Sequence, residues 1–199
     1  MSSSGNTNPK KIVIFASGSG TNAENIIRYF QNSPLAKVEA VFCNRSNAPV
    51  LKKAHKLQVK ALHFDRDAFF HSNEVLHVLK DIKPDLIVLA GFLWMVPKNI
   101  LQAFPNKIIN IHPALLPAYG GKGMYGSVVH ESVIANKEKE SGISIHYVNE
   151  KYDEGEIIFQ AKTQIDNNDT PDMLAQKIHK LEYRHYPEVI EKILQKSQV

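Results

Sequence analysis

The sequence predicts an α/β fold, Rossmann-like, with a mostly parallel sheet, helices on both faces and an antiparallel strand pair towards the C-terminus. Three observations lead there. Short apolar runs alternate with helical stripes through residue 136, the pattern of strand–helix–strand units. The first run passes straight into a glycine-rich turn and a helix. The last two strand-like segments share a connection too short for a crossover helix, so they pair antiparallel.

Taken in order, Met1–Pro9 is rich in Ser, Asn and Gly and reads as a disordered tail. Lys11–Ala16 is the first strand. It runs into Ser17-Gly18-Ser19-Gly20-Thr21-Asn22, and Ala23, Ile26, Ile27 and Phe30 then stand at i, i+3, i+4 and i+7, a helical stripe. Val38–Cys43 is a strand, Asn44–Pro49 a turn before a helix to about Leu57, and Lys60–His63 a short strand. Asp65-Arg66-Asp67 opens one helix with Phe69, Leu76 and Leu79 inward. Asp85–Ala90 is apolar without alternation, as a strand covered on both faces would be. Phe92–Pro97 is an apolar loop entering a short helix, suited either to core packing or to the wall of a flat ligand's pocket. Lys107–Ile111 is a strand, Ser127–Ala135 a helix, and Gly142–Val148 and Glu156–Thr163 are the final strands. Thr170-Pro171 caps a C-terminal helix that Pro187 is expected to interrupt at Tyr186, with Glu188–Gln195 resuming.

The 199 residues are 43% hydrophobic and 22% charged, which suits one domain (11–199) behind a tail (1–10). The net charge is +4 and the lysines are scattered, so nucleic-acid binding is disfavoured and an anionic small substrate fits better. Cys43, the single cysteine, excludes an intrachain disulfide and any multi-cysteine zinc site. His63, His71 and His77 have no metal-ligand spacing, and no metal is expected. No run of about 18 apolar residues is present, and Met1–Lys10 lacks the apolar segment of a signal peptide. The expectation is a cytoplasmic protein, a monomer or homodimer, away from membranes.

Chemistry concentrates in Ile108-Ile109-Asn110-Ile111-His112-Pro113-Ala114-Leu115-Leu116-Pro117. Asn110 and His112 are two apart, so in a strand their side chains leave on one side. Two donors at a strand end can stabilise negative charge on a carbonyl oxygen, and equally they could just hold a loop. If Asp153, in the polar turn Asn149–Gly155, folds back on His112, it would orient the imidazole and raise its pKa. None of the three is a convincing nucleophile, so the device suits direct attack on a carbonyl by an amine or water. The glycine turn presents backbone N–H groups at a helix start, as a phosphate cradle does and as an unliganded tight turn also does. Arg66 could reach an anion. Ala118–Gly126 has four glycines in nine residues and reads as a mobile loop over a site, with Lys122 available to an anion.

Asn110-Ile111-His112-Pro113, Leu115-Leu116-Pro117 and Asp153-Glu154-Gly155 together resemble the folate-dependent formyltransferase family. Ser17–Asn22 narrows the resemblance to members acting on glycinamide ribonucleotide in purine biosynthesis with 10-formyltetrahydrofolate as cosubstrate. It spans roughly Lys11 to Ile193. The resemblance implies Asn110, His112 and Asp153 as catalytic. It implies Gly20, Thr21 and Asn22 at the ribose phosphate with Arg66 nearby, and Glu182 at the ribose hydroxyls. Leu93, Trp94, Met95 and Val96, with Asn110, would line the pterin pocket, although the family often has Met-Arg in place of Leu93-Trp94. His146 matches a recurrent histidine near the site. The implied chemistry is direct amine attack through a tetrahedral adduct, with His112 protonated and Asp153 keeping it so. The nearest alternative is formyltetrahydrofolate hydrolysis, whose family carries an additional N-terminal domain. Methionyl-tRNA formyltransferases carry a further C-terminal domain, and a non-catalytic nucleotide-binding module would need the glycine turn alone.

Overall fold

The structure, a computed structural model, describes residues 8–196. The tail expected over 1–10 falls outside the described residues at 1–7, and Lys10 already belongs to the first strand. The described elements run β1 (Lys10–Ala16), α1 (Thr21–Phe30), β2 (Ala36–Cys43), α2 (Pro49–Lys56), β3 (Lys60–His63), α3 (Arg66–Phe70), α4 (Glu74–Ile82), β4 (Leu86–Leu89), α5 (Lys98–Ala103), β5 (Ile108–His112), α6 (Ser127–Ala135), β6 (Glu140–Tyr147), β7 (Ile157–Gln164) and α7 (Pro171–Lys196).

The strands form one sheet in the order β3-β2-β1-β4-β5-β6-β7. β1 to β5 pair parallel, and β6 and β7 join antiparallel. The alternation of side chains across each strand sorts the core into two layers. Ile12, Ile14, Val88, Ile109 and Ile111 face α1, α2 and α7, where Ile26, Phe30, Val50, Ile178 and Ile190 meet them. Val13, Phe15, Ile87 and Leu89 face the opposite layer, with Phe69, Leu79 and Ile100 from α3, α4 and α5. This double burial explains the unbroken apolar runs of β1 and β4. The strand order reverses between β1 and β4, so the loops after them diverge and open a crevice at their carboxyl ends.

Two expectations are corrected. The helix foreseen from Asp65 is two helices: Asn73 sits in the left-handed region at φ 60° between α3 and α4, and Asp67 O takes the N–H groups of His71 and Ser72. The expected break at Pro187 does not occur, and α7 is continuous over 26 residues. Proline deprives the Tyr183 carbonyl of its helical donor. Asn25 Nδ2 from α1 donates to that carbonyl at 2.8 Å instead, while Pro187 itself is buried.

Candidate active site

β5 ends beneath the crevice, and its register positions the polar residues. Asn110 and His112 share the face of Ile108, opposite Ile109 and Ile111 in the core. Antiparallel pairing sets His146 of β6 directly across from Asn110, and Ser144 across from His112. Ser144 then organises the loop after β5. Its hydroxyl accepts from Leu116 N at 2.9 Å and donates to Ala114 O at 2.7 Å. Gln160 Nε2 reaches both Ser144 Oγ and Leu116 O. Nothing local in the sequence marked Ser144 or Gln160, because their task exists only once β6 and β7 are paired.

Asp153 does fold back. Its Oδ2 lies 3.6 Å from His112 Nδ1, and its Oδ1 lies 3.6 Å from His146 Nε2. The turn bringing it there is tight: Asp153 has φ 54°, and a Cβ on Gly155 would stand 1.7 Å from the Tyr147 carbonyl oxygen. His146 Nδ1 is 2.8 Å from its neighbour's carbonyl, Tyr147 O, so that nitrogen carries a hydrogen. Its Nε2 lies 3.2 Å from Asn110 Nδ2.

His112 is 3% exposed, and its Nε2 donates to the Tyr119 carbonyl at 2.7 Å. Two opposing influences act on its charge. Burial pushes the imidazole below its ordinary value of 6.5 and outweighs the opposing pull of Asp153 and the Tyr119 carbonyl. In the free protein burial thus favours the neutral imidazole, while the acceptors on both ring nitrogens favour the charged one. Burial alone would raise the Asp153 carboxyl, but the His146 imidazole beside it, the Gly121 N–H at 3.0 Å and the His112 imidazole draw it below the ordinary carboxylate value.

The trio stands in a cleft of about 760 Å³ whose lining includes Asn110, His112, Asp153 and His146. At one end stand Gly20, Thr21 and Asn22 at the start of α1. Gly20 has φ 70°, and a Cβ there would press on Val50 at 2.3 Å, so α2 packs tightly against the turn. Asn22 Nδ2 donates to Glu182 Oε2 at 2.9 Å, which couples α1 to α7 across the cleft. Burial raises the Glu182 carboxyl, against the lowering effect of Asn22 and His179. Asn22 Oδ1 is buried without a partner among the described residues.

The opposite wall comes from the loop after β4. Leu93 and Met95 are each 39% exposed in the cleft, whereas Val96 is buried and Trp94 packs on Phe69 and Phe70. The loop is thus both wall and core, in alternation. Ser17 Oγ accepts from Leu93 N at 3.0 Å, fastening this wall to the glycine turn. Arg66 is not brought to the turn. Its guanidinium stacks over Phe70 at 5.0 Å and Trp94 at 5.8 Å, while Arg45, which sequence reasoning passed over, lines the cleft. Lys122 lines it as well. Among the described residues, no group of three or more His, Cys, Asp or Glu could hold a metal, and no helix is long and apolar enough to cross a membrane.

Comparison with known proteins agrees with this architecture. Residues 10–190 match the family model described as formyl transferase. The chain is 36% identical over 187 residues to a chloroplastic phosphoribosylglycinamide formyltransferase of Arabidopsis thaliana, covering 91% of this chain and 64% of that protein. It thus spans less than two thirds of that plant relative. It is 35% identical over 190 residues to the phosphoribosylglycinamide formyltransferase of Bacillus subtilis, covering 93% of this chain and 95% of the relative. The crystal structure of glycinamide ribonucleotide transformylase 1 from Symbiobacterium toebii superposes with a TM-score of 0.87 at 32% identity, covering 95% of this chain and 89% of the other. A match over nearly the whole described chain, with relatives above 30% identity, makes this chain a member of the formyl transferase family.

Proposed function

We propose that the protein transfers the formyl group of 10-formyltetrahydrofolate to the amine of glycinamide ribonucleotide. The observation that supports this above others is the convergence of Asn110, His112 and Asp153 between a glycine turn and an apolar wall. The two ends of the cleft differ in chemistry, as two unlike substrates require. At the α1 end, the helix N-terminus suits a phosphate. The unpartnered Asn22 Oδ1 and the Glu182 carboxyl are acceptors suited to hydroxyl donors. Arg45 takes the cationic role that the sequence reading gave to Arg66. At the other end, the exposed faces of Leu93 and Met95, with Trp94 behind them, suit a flat ring system such as a pterin.

The cosubstrate supplies an electrophilic formyl carbon on nitrogen, and the ribonucleotide supplies a primary amine. The new C–N bond forms first, giving a tetrahedral adduct with its negative charge on oxygen; the old C–N bond breaks as that adduct collapses, and one proton moves from the attacking to the departing nitrogen. His112 Nε2–H is committed to Tyr119 O, so His112 serves the reaction through Nδ1, the nitrogen facing Asp153. In its neutral form it accepts the amine's proton there. The imidazolium so formed is held by the Asp153 carboxylate, which stays ionised, and it stabilises the developing negative oxygen together with the amide of Asn110. The proton then passes to the departing nitrogen. His146 keeps the Asn110 amide in place from the facing strand.

The test is loss of the formyl group from the cosubstrate, followed by absorbance with and without glycinamide ribonucleotide. Turnover that requires the ribonucleotide is expected. Equal turnover without it would replace this reading with hydrolysis, and no turnover in either case would overturn both.

A further inference from the structure

His130 stands outside the catalytic scheme, yet it belongs to the cleft wall. It lies on α6 between the buried aliphatic residues Val129 and Val133 and is itself 5% exposed. Its Nδ1 is buried with no hydrogen-bond partner among the described residues. A buried imidazole nitrogen left unpaired is unfavourable, and an aliphatic side chain would pack the same helix without that penalty. Such a nitrogen in the wall of a ligand cleft is explained when the partner is the ligand.

The surroundings indicate the ligand's charge. The titratable groups acting on His130 are His179 of α7 and His112 of β5. Burial first, then these two imidazoles, push its pKa below 6.5, with no carboxylate opposing them. Glu182 of α7 is turned to Asn22, and Glu131 on its own helix is exposed. His130 is therefore neutral in the free protein and lacks an anion. The α1 N-terminus, lining the same cleft, has unpaired backbone N–H groups that would hold one.

We propose that His130 is a nucleotide-binding residue that takes up a proton when a phosphate monoester enters the cleft and pairs with the resulting dianion. This rests on the ribonucleotide reading given above. Above pH 7 the phosphate is already a dianion, because its second pKa is about 6. Proton uptake in that range must then come from the protein.

The experiment is calorimetric titration of ribose 5-phosphate, which lacks the substrate's amine, at pH 7.5 in two buffers of different ionisation enthalpy. The wild type is expected to take up roughly half to one proton per ligand bound, and its affinity to fall by up to about tenfold per pH unit between pH 7 and 8.5. His130→Gln should bind with almost no uptake and a nearly flat pH profile, while His179→Gln keeps the uptake. In the unsubstituted protein, NMR titration of the His130 ring should show its pKa rising on binding, independent of how any variant folds. Binding without proton uptake, uptake that persists in His130→Gln, or uptake lost only in His179→Gln would overturn the proposal. Failure of the wild type to formylate the ribonucleotide would instead strike the functional reading, whatever the proton count.

Discussion

At the scale of single residues, the site depends on which influence on His112 prevails. Burial lowers its pKa, and its pairing with Asp153 strengthens when it takes a proton. His112→Ala removes the base, and Asp153→Asn removes the counter-ion. Losing a donor to a developing oxyanion raises the barrier by about 3–4 kcal/mol. Each variant should therefore lose at least about a hundredfold in kcat with an unchanged circular dichroism spectrum. Near-normal kcat in either would remove that residue from the mechanism. Burial also links these histidines to stability. His112 and His130 both have pKa values below 6.5 in the folded protein, so the fold favours their neutral forms. Their contribution is complete above pH 6.5 and is lost as pH falls through their folded values. Asp153, also lowered, matters only below the ordinary carboxylate value of 3.8. The melting temperature is therefore expected to fall as pH drops below 6.5, and to fall less steeply in His130→Gln.

At the scale of elements, α7 shows how a proline can sit inside a helix. Pro187 offers no N–H to the Tyr183 carbonyl, and the Asn25 amide replaces it from α1. Asn25→Ala should cost about 1 kcal/mol in denaturant unfolding, the net worth of a hydrogen bond. In a Pro187→Ala background, where a helical N–H is restored, the same change should cost markedly less. Equal costs in both backgrounds would show that Asn25 does not compensate for the proline. The turn before β7 allows no such substitution. Gly155 has no space for a methyl beside Tyr147 O, and this turn carries Asp153. Gly155→Ala should destabilise by at least about 1–3 kcal/mol. It should also reduce kcat in the fraction that remains folded, readable by assaying well below the melting temperature.

At the scale of the molecule, the cleft exists because the sheet changes winding direction between β1 and β4. Ser17 then ties the two diverging loops through Leu93 N. The Asn22–Glu182 bond closes the far side by joining α1 to α7. Two residues 160 positions apart in sequence thus line one cleft. The ribonucleotide should consequently stabilise the entire fold, by about 2.7 kcal/mol at a hundred times its Kd. The thermal shift should shrink in Glu182→Ala. A shift undiminished in that variant would place the nucleotide elsewhere.

The sequence alone determined what depends on local pattern. Apolar runs and stripes marked the strands and most helices, and the spacing of Asn110 and His112 put both on one strand face. The motif resemblance named a family that the comparisons bear out. Tertiary structure decided whatever depends on a distant partner. The Tyr183 carbonyl found Asn25, so α7 did not break; Arg66 stacks over Trp94, and Arg45 lines the cleft. Desolvation by the assembled sheet and loop lowers the His112 pKa against the attraction of a carboxylate 3.6 Å away, a balance that no local pattern carries. Periodicity and motif are written along the chain, whereas burial and pairing arise only between segments that folding brings together.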